Sequence, residues 1–151
     1  EELRRKGIRS DVILHNSLVG ACGASWQTAE ALDALRAVEH ASLEPDAITY
    51  SAVLSACAQR VQWRRAVQLV VEMQRKRVVV DVIAFNAVIS ACEKSQEGLR
   101  ALNLLGTMRR KSLRPSIISH SATISACEKQ RLWERAIALG AALKDGGITS
   151  D

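Results

Sequence analysis

The chain has 151 residues, 48% of them hydrophobic and 3% aromatic, with a formal net charge of +5. That is enough apolar material to bury a core, yet no run of about 18 apolar residues occurs, so no membrane-spanning helix is expected. The basic balance suits a polyanionic partner, while so few rings argue against a protein that reads bases by stacking them on aromatic platforms.

Sliding the sequence by 35 residues returns it onto itself. Asp46–Gln59, Asp81–Lys94 and Ser116–Lys129 are near copies, and Asp11–Ala24 is a more divergent fourth. Cys22, Cys57, Cys92 and Cys127 sit one period apart, as do Ile13, Ile48, Ile83 and Ile118. A fixed period of this size marks a repeat array, in which each unit packs mainly on its neighbours and the object is an elongated stack.

In chain order, residues 1–11 are expected to be the end of a truncated preceding unit, because they match later unit ends such as Arg109–Ser116. Residues 12–46, 47–81, 82–116 and 117–151 then form four complete units of one continuous solenoid. The chain closes on a unit boundary and shows no targeting segment, which gives the expectation of a piece of a longer array with any leader outside it.

Within each unit the apolar spacing is helical. In the third unit Phe85, Val88, Ile89 and Cys92 fall on one face of a first helix, and Ala101, Leu104, Leu105 and Met108 on one face of a second. The second-helix stripe is Ala31, Ala34, Leu35 and Val38 in the first unit and Ala66, Leu69, Val70 and Met73 in the second. In the fourth it is Ala136, Leu139, Gly140 and Leu143, where Gly140 leaves a gap. Ala21, Ala56, Ala91 and Ala126 are small enough to let paired helices approach closely. Arg75-Lys76-Arg77 and Arg109-Arg110-Lys111 follow second helices, where cations suit the helix dipole. Pro45 and Pro115 lie just past helix ends. Asp46, Asp81 and Ser116 close their units and are good N-caps for the helix that follows. No segment alternates at period two, so no sheet is expected.

The cysteines lack the Cys-x-x-Cys spacing of a metal site. Equivalent positions on successive repeats usually lie beyond the roughly 7 Å between Cα atoms that a disulfide spans. All four are expected to be reduced core residues, which fits a reducing compartment. Trp63 and Trp133 share one place in the period and Trp26 lies two positions earlier; all three are expected to pack rather than to form base platforms. His15 and His120 occupy the place of Tyr50 and Phe85 and are expected to be partly buried helix residues.

A helix–turn–helix unit of 35 residues with Asn or Ser fifth and Asp last resembles the pentatricopeptide repeat, and the resemblance covers the whole chain. It implies an all-α, right-handed solenoid in which each repeat addresses one base of single-stranded RNA from its concave face. The implied base-reading pairs are the fifth and last residues of each unit: Asn16 with Asp46, Ser51 with Asp81, Asn86 with Ser116, and Ser121 with Asp151. Asp11 is the last residue of the truncated unit. In the family's code these pairs favour U, G, C and G, and Asp11 suggests U or G, so the implied site is 5′-(U/G)UGCG-3′. The second residues Ile13, Ile48, Ile83 and Ile118 are implied to wedge between bases. Lys94 and Lys129, thirteenth in their units, match a phosphate-contacting position that Ala24 and Gln59 occupy in the first two units. Phosphate contacts of this kind position RNA without reading it.

The resemblance also implies an organellar location, chloroplast or mitochondrion, and a role in RNA processing, stability, editing or translation. Protein partners would act through the rest of a full-length array. The alternative is a tetratricopeptide-like scaffold for protein or peptide partners, whose 34-residue period and Trp/Leu/Gly/Tyr pattern are not matched here. A zinc deaminase of the kind some relatives carry would need His-x-Glu and Cys-x-x-Cys motifs. Neither is present, and no catalytic residue, metal or cofactor is expected.

Overall fold

The computed structural model describes residue 17, residues 28–40 and residues 44–145, the last three by backbone only. Seven helices are present among the described residues, each of 13 residues, and no strand occurs there. The second helices are α1 (Thr28–His40), α3 (Trp63–Arg75), α5 (Gly98–Arg110) and α7 (Trp133–Asp145). The first helices are α2 (Ala47–Gln59), α4 (Val82–Lys94) and α6 (Ile117–Lys129). Both sets start at intervals of 35 residues, so the sequence period is a structural period.

Each first helix packs on the first helices beside it, on its own second helix and on the second helix of the unit before. With neighbours on three sides, α2 buries Tyr50, Val53, Leu54, Ala56, Cys57 and Ala58, more than one helical stripe. The second helices bury a single face; in α3 it is Ala66, Leu69, Val70 and Met73. Among the described residues the second helices lie further apart and meet through side chains, as where the Arg100 guanidinium of α5 covers the Trp63 ring of α3. Between α1 and α3 lies a groove of about 280 Å³. A close-packed layer of first helices thus lies beside a more open layer of second helices. The alanines expected at the close approach, Ala56, Ala91 and Ala126, are fully buried, as are Cys57, Cys92 and Cys127. These three cysteines are free, and burial pushes the thiols of Cys57 and Cys92 up to about 11. Cys22 lies outside the described residues.

The turns contain a feature that no glycine announces. Val61, Gln96 and Arg131, one period apart, follow the first helices with φ near 60°, and Arg77 and Ser112 do the same after the second helices. Each sits in a helix-ending turn. There Gln62 N–H donates to Cys57 O at 2.9 Å, Glu97 N–H to Cys92 O at 2.8 Å and Leu132 N–H to Cys127 O at 2.8 Å. A left-handed backbone is unfavourable for any residue with a Cβ, and most so for a β-branched one.

At Gly98 the packing is tight. A Cβ there would lie 2.8 Å from Ala126 O and 3.0 Å from Cys127 Cα. Trp63 holds the same place in the previous unit, and α3 packs less extensively on α4 than α5 does on α6. At Gly140 the stripe is open as expected, since a Cβ would meet nothing within 4 Å.

Polar ties join neighbouring units. Lys76 bonds Glu39 of the unit before and Glu72 of its own helix, and Glu72 accepts from the buried Tyr50 hydroxyl at 3.0 Å. Burial, more than the adjacent carboxylate, pushes the Tyr50 hydroxyl up to about 12. Lys129 Nζ donates to Glu93 Oε1 across units at 2.8 Å, and Ser125 Oγ donates to the same oxygen at 3.0 Å. The Lys129 bond holds the Glu93 carboxyl below its ordinary 4.5, against a smaller opposing effect of burial.

Three outcomes are expected. Val61→Gly should raise stability by about 1 kcal/mol in denaturant titration, since glycine carries no penalty at positive φ and the Val61 side chain is exposed. Gly98→Ala should lower it by about 1–3 kcal/mol, the usual cost of overpacking. The Glu93 tie should stabilise the fold above about pH 4.5 and lose its contribution as pH falls below that, because the folded carboxyl binds its proton less readily than the unfolded one. Thermal unfolding at pH 7 and pH 3 checks this: the gap between the parent and Glu93→Gln should narrow at the lower pH.

Candidate nucleic-acid interface

The first helices carry the candidate residues in register. Ser51 on α2, Asn86 on α4 and Ser121 on α6 are one period apart, with Ser51 and Asn86 half-buried and Ser121 exposed. The last residues Asp46, Asp81 and Ser116 stand at the N-termini of α2, α4 and α6 in extended backbone. Their capping roles are direct. Asp46 Oδ1 accepts from Thr49 N–H at 2.8 Å and from the Thr49 hydroxyl at 2.7 Å, and Asp81 Oδ1 accepts from Ala84 N–H at 2.8 Å. Asp11, Ile13, Asn16 and Asp151 lie outside the described residues.

A fifth residue and the last residue of the same unit meet at Asn86 and Ser116. Although 30 positions apart in sequence, Asn86 Nδ2 donates to Ser116 Oγ at 3.3 Å. A third residue completes the group. Ser119 Oγ donates to Asn86 Oδ1 and accepts from Ser116 N–H at 3.0 Å, and Ser116 Oγ accepts from Ser119 N–H at 3.3 Å. The reciprocal Ser116–Ser119 bonds form a capping box on α6. Sequence reading passed over Ser119, although the Ser-x-x-Ser spacing before an apolar run is a form of that signature.

The second-position isoleucines point outward. Ile48 is 74% exposed, Ile83 65% and Ile118 64%, so they are not packed in the interface between units. A row of aliphatic side chains one period apart gives the surface regular apolar projections beside the polar fifth residues.

The thirteenth residues differ from one another. Lys94 Nζ donates to the neutral amide of Gln59, the residue at the same place one unit earlier, at 2.8 Å. Its charge is therefore still available to an anion. Lys129 is bonded instead to the Glu93 carboxylate, which offsets its charge. Nothing local to Lys129 shows this, because its partner is 36 positions away.

His120 is buried with both ring nitrogens engaged, Nδ1 3.0 Å from Ser116 O and Nε2 3.3 Å from the Arg109 guanidinium. It is a packed helix residue, as expected. Trp63 packs under the Arg100 guanidinium, 4.3 Å from its ring centroid. Trp133 departs from the expectation: at the same place of the period it is 56% exposed. Among the described residues no group of three or more His, Cys, Asp or Glu could hold a metal ion, and no helix is long and apolar enough to cross a membrane.

The pentatricopeptide repeat domain model matches residues 1–60 and 68–130, and the PPR repeat model matches residues 48–78. No curated protein sequence gives a significant match. Among solved structures, the maize pentatricopeptide repeat protein PPR10 superposes with a TM-score of 0.82 at 19% identity, over 95% of this chain and 22% of that one. PPR10 in complex with an 18-nt psaJ RNA element gives 0.77 at 20% identity, over 89% of this chain and 20% of that one. The PPR domain of Arabidopsis thaliana protein-only RNase P 1, in complex with tRNA, gives 0.77 at 11% identity, over 91% of this chain and 72% of that one. This chain thus spans about a fifth of the maize protein's length. A 35-residue two-helix period, an all-α stack and a family match over most of the sequence agree: the chain belongs to the pentatricopeptide repeat family.

Proposed function

We propose that this chain binds single-stranded RNA along the layer of first helices, one base per unit. The observation that carries the reading is the Asn86–Ser116 pair, a fifth residue bonded to a last residue across 30 positions, flanked by the exposed Ile83 and Ile118. An amide and a hydroxyl can meet the hydrogen-bonding edge of a base, and aliphatic projections on either side can hold that base between them. The RNA complexes of PPR10 and of the RNase P 1 repeat domain support the same use of the fold.

The finer reading assigns the remaining contacts. Asn16 with Asp46, Ser51 with Asp81, and Ser121 with Asp151 read bases in the same manner, and Asp11 contributes to the base before them, giving 5′-(U/G)UGCG-3′. Lys94 and Lys129 contact phosphates, Lys94 the more strongly because its hydrogen-bond partner is a neutral amide rather than a carboxylate. The RNA served is an organellar transcript, and the chain contributes recognition rather than chemistry to its processing, stability, editing or translation.

Two outcomes follow. Affinity for a single strand containing 5′-UGCG-3′ should exceed that for the matching duplex, which hides the base edges, and should fall as salt rises. Fluorescence anisotropy at several salt concentrations measures both, and equal affinity for strand and duplex contradicts the reading. Ser116→Asp should move the third unit's preference from C toward U by about 1–3 kcal/mol in relative binding to 5′-UGCG-3′ and 5′-UGUG-3′ strands. Asp46 and Asp81 already cap the equivalent helices, so thermal stability should hardly change.

A further inference from the structure

Ser119 is fully buried, three residues into the fourth unit, and its hydroxyl has no access to a ligand. It nevertheless controls what Asn86 can offer. Its one proton goes to Asn86 Oδ1, while its oxygen accepts from Ser116 N–H at 3.0 Å. With its proton given to Asn86, the Ser119 oxygen is also the acceptor in its 3.2 Å contact with Ser116 Oγ, so the Ser116 O–H points back to it. The amide therefore stands with Oδ1 toward Ser119 and Nδ2 toward Ser116 Oγ. Ser116 Oγ in turn accepts from both Asn86 Nδ2 and Ser119 N–H, so its lone pairs are in use. What remains for a ligand is one Nδ2–H of Asn86, on the Ser116 side, and one lone pair on Oδ1.

We infer that Ser119 is a positioning residue for base choice, holding the Asn86 amide so that the third unit presents its Nδ2–H and thereby prefers cytosine to uracil. This rests on the RNA-binding reading above. Cytosine has an acceptor at N3, where uracil has an N–H. An amide presenting N–H meets the first and opposes the second. Turned over, the same amide would present Oδ1 and accept from uracil N3–H. Without the Ser119 proton on Oδ1 that rotation loses its main penalty.

The third place of the period varies among the units. Ala84 stands there in the third unit and Thr49 in the second, both fully buried, so the fold accepts either residue. Thr49 keeps a hydroxyl, which donates to Asp46 at 2.7 Å. Across the unit boundary Ala84 stands to Ser51, which has no amide to orient, as Ser119 stands to Asn86; Thr49 stands in the same way to Asn16, which lies outside the described residues.

The test compares affinities for 5′-UGCG-3′ and 5′-UGUG-3′ strands with parent, Ser119→Ala, Ser119→Cys and Ser119→Thr. Ala removes the hydroxyl, Cys keeps the volume with a weak donor, and Thr restores the hydroxyl. The parent should favour the C-containing strand by about tenfold. Ala and Cys should cut the ratio to within about twofold of unity, and Thr should keep it near the parent's value. A purely structural role would weaken both strands equally and leave the ratio unmoved. An unchanged ratio in folded Ala and Cys variants overturns the inference, and so does a ratio lost equally in Thr. A parent that binds RNA without preferring C at this base removes the assignment of Asn86 and Ser116. A parent that binds neither strand removes the RNA reading itself.

Discussion

Everything in this molecule depends on how closely the first helices lie against one another. Ala56, Ala91 and Ala126, each followed by a buried cysteine, keep that layer thin. Neighbouring units are then held in one register, so that residues 35 positions apart in sequence repeat at regular intervals along one surface. A bulkier side chain in this layer would force helices apart and break the spacing of every fifth residue beyond it. The second helices have no such demand. They bury one stripe and lie further apart from one another.

That division of labour explains how the surface gains its chemistry. A first helix needs an N-cap, and the cap falls on the last residue of the preceding unit because the turn is that long. The side chain that satisfies the orphan N–H groups is thus set beside the fifth residue one period back, as Ser116 is beside Asn86. One residue thus caps the helix that follows it and, in the function proposed above, also shapes the base-reading surface.

The period, the two helices of each unit, the caps and the buried cysteines were legible in the sequence, because each is a local signal repeated several times. Residues that act across units were not. Glu93 offsets Lys129 and Gln59 receives Lys94, both from one period away, and no local pattern marks which lysine is offset. The turns were also hidden. Val61, Gln96 and Arg131 adopt a backbone that usually advertises itself through glycine or asparagine, and here the packing of the flanking helices imposes it on whatever residue is present. Gly98 was passed over because it replaces a tryptophan in the period, and its reason is a carbonyl of the next unit rather than anything nearby in sequence. Of the candidate site, the register was legible and the hydrogen-bond sense was not: nothing in the composition says that Asn86 is turned by Ser119.

The central claim is that successive units read successive bases. Selection of this chain's ligands from a random single-stranded RNA pool tests it most directly. The account predicts enrichment of a short, ungapped motif in which C lies between two G positions, in the order 5′-UGCG-3′. A pool that remains unenriched, or a motif without C at the position assigned to Asn86 and Ser116, would contradict it.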